Sequence, residues 1–257
     1  MTTESGHAVP INGIELYYKV RGEGEPLVLL HGFTGSGADW DLLIDDWTKG
    51  YRLIIPDLRG HGRSTNPSNQ FTHRQSALDI LALLDHLKIE KFRAIGLSGG
   101  GNTLLHMATQ QPSRIESMVI VSATSHIPDQ ARAVMNQFKA KNLTEAEWMV
   151  MRQRHKHGDD QIRALYKIGN GFKDSYDDLN FSAADLAKIT ADTLIVYGDR
   201  DVLYPASIAL EMYAAIPHSY LWVIPNAGHV PVFLEMKDPF TRTASAFLRG
   251  DWKGTRA

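Results

Sequence analysis

Residues 96–100 read Gly-Leu-Ser-Gly-Gly and directly follow the apolar run 92–95. A Gly-x-Ser-x-Gly sequence between a buried strand and a helix is typical of a nucleophile elbow, a tight turn that holds the serine hydroxyl out from the chain. Glycines at positions 96 and 100 suit such a turn, because a Cβ at either position would clash. Ser98 is therefore the candidate nucleophile, and the chemistry it predicts is acyl transfer.

A serine hydroxyl becomes a good nucleophile only when a base takes its proton and a third group orients that base. His229 and Asp201 are the candidates for these two roles, because each lies on a loop just after an apolar, strand-like run. Asp199 lies closer to the end of its strand, and we interpret it as a turn-capping carboxylate. The order along the chain is then Ser98, Asp201 and His229.

Short apolar runs and helical patterns alternate along most of the chain. An Asn12-Gly13 turn between two strand-like segments predicts a hairpin. Further runs predict strands buried on both faces, at 27–30, 52–56, 92–97, 115–123, 193–197 and 220–224. Helical patterns lie at 77–87 after a cap at Thr72, just after Ser98, and at 231–248. The alternation predicts an α/β fold with a mostly parallel sheet covered by helices on both faces.

Residues 126–188 break this alternation, because they contain helical segments and no convincing strand. Thr144 and Glu147 form a capping box at the start of one helix, and Ser182 has the pattern of another helix start. A crossover between two strands rarely needs several helices. We therefore expect residues 126–188 to form a helical cap, or lid, and residues 1–125 and 189–257 to form the core domain.

The composition is that of an ordinary globular protein of 257 residues, 43% hydrophobic and 22% charged. A net charge of -2 without a basic run gives no support for binding to nucleic acid or to an anionic membrane. The absence of cysteine excludes disulfides and thiolate chemistry. The beginning of the chain lacks the pattern of a signal peptide, and no apolar run is long enough to span a bilayer, so we expect a cytoplasmic protein. No feature of the sequence indicates an oligomeric state.

Four motifs, taken together and in this order, resemble those of the α/β-hydrolase superfamily over nearly the whole chain. They are His31-Gly32-Phe33, residues 57–64, residues 96–100, and residues 198–201 with Gly228-His229. The resemblance is to the serine-nucleophile branch that includes esterases and lactonases, and it implies an α/β-hydrolase fold with a helical cap insertion and with Asp201 as the acid. Some relatives place the acid after the strand that follows the nucleophile helix, but here residues 122–124 read Ser-Ala-Thr and offer no carboxylate.

The resemblance also implies where the developing oxyanion would be stabilised. In this fold the backbone N–H donors come from the residue after the nucleophile and from the loop after an early central strand, which here are Gly99 and Phe33. His31 is expected to pack and hydrogen-bond beneath that loop, and His61 to be structural. His126, His155 and His157 are interpreted as cap surface rather than as a metal site, and no metal or cofactor is expected.

For the substrate-binding residues we predict Val230, because it is next to His229, together with Trp40, Met135 and Met149. Met151, Tyr166 and Phe172 are further candidates for an apolar wall. Methionines and aromatic residues at helical spacing fit the internal packing of a cap equally well, so both interpretations of these residues stay open.

The leading functional hypothesis is a hydrolase for a small or medium, largely uncharged ester or lactone, acting through an acyl-enzyme on Ser98. A carbon–carbon bond hydrolase or a cofactor-free perhydrolase would use the same triad. Carbon–carbon hydrolases of this group often carry Met after the nucleophile, where this chain has Gly99. Epoxide hydrolases and haloalkane dehalogenases use an aspartate nucleophile, which Ser98 excludes. A ligand receptor or signalling protein on a hydrolase scaffold is the hypothesis from another class.

Overall fold

The computed structural model describes residues 6–252, which fold around one eight-stranded sheet. The strands are β1 (Gly6–Ile11), β2 (Ile14–Arg21), β3 (Glu25–Leu30), β4 (Tyr51–Pro56), β5 (Phe92–Leu97), β6 (Ile115–Val121), β7 (Asp192–Gly198) and β8 (Ser219–Ile224). They lie in the order β1-β2-β4-β3-β5-β6-β7-β8. β1 and β2 pair antiparallel, β2 joins β4 antiparallel, and the strands from β3 to β8 all run parallel.

The predicted hairpin at the start of the chain is confirmed. Asn12 and Gly13 both have positive φ angles, 45° and 79°, as a two-residue hairpin turn requires, and Ile11 pairs with Ile14 across it. In β2 the apolar residues alternate with polar ones, and Ile14, Leu16 and Tyr18 are buried on one face. The central strands are apolar on both faces, since helices cover the sheet on both sides.

Nine helices belong to the described residues. They are α1 (Ile44–Trp47), α2 (His73–His86), α3 (Gly99–Gln110), α4 (Asp129–Asn136), α5 (Glu145–Arg154), α6 (Asp159–Gly171), α7 (Ala183–Leu186), α8 (Ala206–Ala215) and α9 (Lys237–Leu248). One face of the sheet packs against α2, α3 and α8, and the other against α1 and α9. The predicted α/β-hydrolase fold, a mostly parallel sheet between two layers of helices, is therefore the fold observed.

Helix starts follow the capping residues that the sequence shows. The Thr72 side chain accepts a hydrogen bond from the backbone N–H of Gln75, and Thr144 and Ser182 each begin a capping box. The last helix is a correction, because it begins at Lys237 rather than at residue 231. A 3₁₀ turn precedes it, and Leu234 in that turn has a φ of 54°, which a continuous α-helix does not allow.

Residues 126–188, which we name the cap segment, contain α4 to α7 and leave and rejoin the sheet between β6 and β7. Several polar contacts fasten this segment to loops that follow parallel strands. Arg154 pairs with Asp39 at 3.0 Å, the backbone N–H of Lys156 donates to Gly62, and Gln130 donates to the backbone carbonyl of Asp201. The segment therefore contacts loops at the carboxyl edge of the sheet. Within residues 6–252, no helix is both long enough and apolar enough to cross a bilayer.

Candidate active site

Ser98 stands between the end of β5 and the first residue of α3, with a φ of 49° and a ψ of -113°. A residue with a side chain seldom adopts these angles, so the surrounding packing must hold the turn. Two close approaches require glycine here. A Cβ at Gly96 would lie 2.6 Å from the carbonyl oxygen of Gly100, and a Cβ at Gly100 would lie 2.2 Å from that of Leu30. The turn thus projects the Ser98 hydroxyl above the carboxyl edge of the sheet.

The structure brings Ser98, His229 and Asp201 into one hydrogen-bonded chain. The Oγ atom of Ser98 is 2.8 Å from Nε2 of His229, and Nδ1 of His229 is 2.7 Å from Oδ2 of Asp201. His229 lies after β8 and Asp201 after β7, so their loops meet Ser98 at the same edge of the sheet. All three side chains predicted for the triad therefore have the geometry that nucleophilic catalysis requires.

The environment of Asp201 decides the direction of these hydrogen bonds. Its side chain is fully buried, and its other oxygen, Oδ1, accepts from the backbone N–H groups of Leu203 and Tyr204 at 2.7 and 3.1 Å. A carboxylate offers its neighbours only acceptors. His229 therefore donates from Nδ1 to Asp201, and its Nε2 lone pair faces the Ser98 hydroxyl. In this arrangement His229 can accept the serine proton.

Backbone N–H groups converge beside Ser98. The nitrogen of Phe33 lies 3.1 Å from the point where a Cβ on Gly99 would sit, and Gly99 is the first residue of α3, whose N–H has no acceptor within the helix. Thr34 has a φ of 64°, and the N–H of Gly35 donates back to Gly32, which bends this loop toward Ser98. The two residues predicted as oxyanion donors are thus neighbours, at the positive end of the α3 dipole.

Two buried histidines hydrogen-bond to the backbone carbonyls on either side of Phe33. Leu58 donates its N–H to Nε2 of His31, so Nδ1 of His31 carries the proton and donates to the carbonyl of Gly32 at 2.8 Å. His155, at the end of α5, accepts from the N–H of Gly62 and donates from Nε2 to the carbonyl of Thr34 at 3.1 Å. His31 matches its predicted place. The interpretation of His155 as cap surface is wrong, because it is 2% exposed.

Burial keeps His155 neutral. It lowers the pKa of this imidazole from 6.5 to about 4, since a charged ring would lose its hydration and, with Nδ1 protonated, could no longer accept from Gly62. The cap segment is therefore joined to the Phe33 loop through an uncharged histidine.

A cavity of about 650 Å³ lies between the cap segment and the triad. Its wall is mostly apolar and includes Phe33, Ile127, Met135, Phe138, Phe172 and Val230. The Phe33 ring packs edge-on against Phe172, with 4.8 Å between the ring centroids, so this residue both lines the cavity and fills the core around it. Arg154 and Asp39, which form an ion pair, also contribute to the wall. The cavity can hold a small, largely uncharged molecule against Ser98.

Two of the four predicted substrate-binding residues lie elsewhere. Trp40 is fully buried between the sheet and the helix layer that contains α1, and its ring centroid is 6.3 Å from that of Trp47. Burial in the core removes the large apolar surface of its ring from water. Met149 is 55% exposed on α5 and is not among the residues that line the cavity. Both predictions are corrected, whereas Met135 and Val230 do line the cavity.

Of the further candidates for an apolar wall, Met151 and Tyr166 instead pack in an apolar cluster within the cap segment.

Sequence reasoning missed His73, Asn102 and Tyr204, which also line the cavity. His73 could have been found from the sequence, because it comes directly after the Thr72 cap and is therefore the first residue of a helix. A helix that follows a parallel strand begins at the carboxyl edge of the sheet, where the site lies. Tyr204 is 5.3 Å from the His229 ring, centroid to centroid, but no motif marks it. Among residues 6–252 there is no group of three or more histidines and carboxylates that could hold a metal ion.

Comparisons with known proteins agree with this fold. Residues 25–145 match a family model described as the alpha/beta hydrolase fold. The serine hydrolase BPHL of Homo sapiens is 28% identical over 256 residues, which cover 96% of this chain and 88% of that protein. A 2-hydroxy-6-oxononadienedioate/2-hydroxy-6-oxononatrienedioate hydrolase of Pseudomonas putida is 28% identical over 275 residues, 92% of each chain. A solved meta-cleavage product hydrolase from Pseudomonas fluorescens IP01 is 24% identical, with a TM-score of 0.79 over 96% of this chain and 98% of that one.

Proposed function

Because this chain belongs to the α/β-hydrolase superfamily, we propose that it is a carboxylic-ester hydrolase that cleaves a small ester or lactone through an acyl-enzyme on Ser98. The observation that carries this proposal is the hydrogen-bonded chain from Ser98 through His229 to the buried Asp201, placed under an apolar cavity. The similarity to a serine hydrolase along most of both chains supports the same class of reaction.

The reaction follows from the positions of these groups. Ser98 Oγ attacks the substrate carbonyl while His229 Nε2 takes its proton, and Asp201 stabilises the imidazolium that forms. The carbonyl oxygen becomes an oxyanion that accepts from the N–H groups of Phe33 and Gly99, each worth about 3 kcal/mol in the barrier of such reactions. His229 then gives its proton to the leaving alcohol, and the acyl group remains on Ser98. A water molecule that His229 deprotonates cleaves the acyl-enzyme, which releases the acid and restores the hydroxyl.

The cavity favours an uncharged substrate. Its wall offers apolar surface on most sides, and binding there rewards an apolar acyl or alcohol group rather than an ion. We propose that residues 126–188 serve as the cap that excludes water from this cavity, on the core formed by residues 1–125 and 189–257, because α4 and α6 supply part of the wall. We propose that this reaction needs no metal or cofactor, because the triad itself supplies the nucleophile, the base and the stabilisation of the charge on that base.

A carbon–carbon bond hydrolase is the second candidate, and one observation favours it. The Pseudomonas putida relative, similar over 92% of each chain, is named as a hydrolase of an oxo-dienedioate. Such a reaction would use the same Ser98, His229 and Asp201, but it releases a carbanion equivalent that must be protonated at carbon. Comparing turnover of 4-nitrophenyl butanoate, a δ-lactone and a vinylogous diketone separates the two candidates.

The test of the proposed function compares two serine substitutions. Ser98→Ala is expected to abolish turnover of 4-nitrophenyl butanoate, and Ser113→Ala, at an exposed serine before β6, is expected to leave it unchanged. Wild-type multiple turnover above about 1 per second supports an enzyme rather than a ligand receptor on the same scaffold. Ester turnover that survives in Ser98→Ala would refute the proposal.

A further inference from the structure

A second histidine–aspartate pair lies outside the triad, with its histidine in the wall of the cavity. His73 is the first residue of α2, and its Nδ1 is 2.8 Å from Oδ2 of Asp178 in the cap segment. The two side chains are 4% and 7% exposed. Asp178 also accepts from the backbone N–H groups of His73 and Arg74, so it holds the start of α2 as well as the imidazole.

The state of Asp178 decides which edge of His73 carries a proton. Burial raises the pKa of Asp178, but the hydrogen bonds from His106 and His73 outweigh burial and hold that pKa well below its ordinary range. A charged carboxylate accepts, so Nδ1 of His73 is the donor, and in the neutral imidazole the Nε2 lone pair remains for another partner. Among residues 6–252, no group makes a hydrogen bond to that Nε2.

The free Nε2 of His73 lies beside the groups that would meet the substrate carbonyl. It is 3.6 Å from the point where a Cβ on Gly99 would sit, and the backbone nitrogen of Phe33 is 3.1 Å from the same point. Because residue 99 is glycine, no side chain fills the space between His73 and the Phe33 loop. When a substrate carbonyl is held at these N–H groups, the atoms next to the carbonyl, such as a substituent on the adjacent carbon, are the ones that can extend into this space.

We infer that His73 determines substrate specificity by accepting a hydrogen bond from a hydroxyl group on the carbon next to the scissile carbonyl. The substrate class is then a 2-hydroxy ester or a 2-hydroxy lactone. An apolar substrate would bury the Nε2 lone pair without a partner, and a site built for a polar group rejects the analogue that lacks it. This inference rests on the proposed ester hydrolysis, because it names the acyl group that Ser98 receives.

The first measurement compares three esters with the wild-type protein, following acid release in a pH-stat. We expect kcat/KM for ethyl 2-hydroxybutanoate to exceed that for ethyl butanoate about tenfold or more, the size of one hydrogen bond to a buried group. Ethyl 2-methoxybutanoate, which cannot donate, is expected to lose the preference. A methoxy ester turned over as well as the hydroxy ester would overturn the role of Nε2 as an acceptor.

Two substitutions separate the two edges of the imidazole. In His73→Asn the amide can still reach Asp178 but offers nothing at the Nε2 position, so the ratio of kcat/KM between the hydroxy ester and the plain ester is expected to fall toward one. In His73→Gln the longer side chain reaches the Nε2 position, and part of the preference is expected to return. His86→Asn, at the exposed end of the same helix, is the matched control and should keep the wild-type ratio. Thermal unfolding confirms that each variant folds.

Binding to the Ser98→Ala protein distinguishes failure of this inference from failure of the proposed function. Calorimetric titration with the hydroxy and plain esters should show about tenfold tighter binding of the hydroxy ester, and His73→Asn in the same background should remove the difference. Turnover of both esters at equal kcat/KM, with equal affinities, would overturn the inference and leave ester hydrolysis standing. Absence of turnover with preserved tighter binding of the hydroxy ester would contradict the proposed function alone.

Discussion

Replacement of Asp201 by asparagine should cost far more activity than stability, for a reason visible in its hydrogen bonds. Oδ1 accepts from the N–H groups of Leu203 and Tyr204 at 2.7 and 3.1 Å. In Asp201→Asn these two donors select the amide oxygen at that position, because an amide NH₂ there would face N–H groups. The amide nitrogen must then occupy the Oδ2 position, 2.7 Å from Nδ1 of His229 in the wild type.

That nitrogen donates to His229 and thereby selects the wrong tautomer. Nδ1 must accept, so the ring proton moves to Nε2, which lies 2.8 Å from the Ser98 hydroxyl and can no longer take its proton. In serine hydrolases such a change lowers kcat about 10⁴-fold, which corresponds to about 5 kcal/mol in the activation barrier. Asparagine keeps the shape and the two backbone hydrogen bonds, so the fold should persist.

The assay is kcat for 4-nitrophenyl butanoate, with the melting temperature measured on the same samples. Asp199→Asn is the matched control, because this aspartate is on the same loop, is partly exposed, and pairs with Arg200 rather than with His229. We expect Asp199→Asn to stay within about twofold of wild type, as surface substitutions usually do. A loss of less than tenfold in Asp201→Asn, or an equal loss in Asp199→Asn, would refute this reasoning about the acid.

Two further predictions concern the cap segment and the cavity wall. The folded protein holds His155 neutral, whereas the unfolded chain takes up a proton below its ordinary pKa of 6.5, so stability present above pH 6.5 is lost as the pH falls toward 4, by about 3 kcal/mol for this group. Urea unfolding at pH 7.5 and 4.5 should show a smaller difference in His155→Gln than in wild type, and an equal difference would contradict the prediction. Met135→Ala should raise KM for 4-nitrophenyl butanoate several-fold, because Met135 lines the cavity. Met149→Ala, at an exposed position, should leave KM unchanged and should change the free energy of unfolding by no more than about 0.5 kcal/mol. Equal effects of the two substitutions would place the cavity wall elsewhere.

The fold could be predicted because its signals are local. The Asn12-Gly13 turn, the apolar runs of the central strands and the Thr72 cap each depend on neighbours in sequence, and each is observed where it was expected. The meeting of Ser98, Asp201 and His229 also followed from local signals, because loops after parallel strands share one edge of the sheet. Their distances agree with the predicted roles, which remain to be tested by the substitutions above.

What could not be predicted depends on contacts between distant segments. Trp40 and Met135 are both large and apolar, and only the packing of the cap segment and of the helix layers decides that one fills the core and the other lines the cavity. His155 has a sequence context typical of a helix end at the surface, but it is buried because Gly62 and Thr34 reach it from loops about a hundred residues away. The pair formed by His73 and Asp178 joins residues 105 positions apart, and no spacing rule connects them.

The most direct test of the central claim is to identify the acyl-enzyme. Wild-type protein that is mixed with 4-nitrophenyl butanoate, quenched in acid within the first turnovers and digested should carry one butanoyl group on the peptide that contains Ser98, as detected by mass spectrometry. The same treatment of Ser98→Ala should give no acylated peptide. A butanoyl group on a different residue during turnover, or steady turnover of wild type with the Ser98 peptide always unmodified under rapid quenching, would contradict nucleophilic catalysis by Ser98.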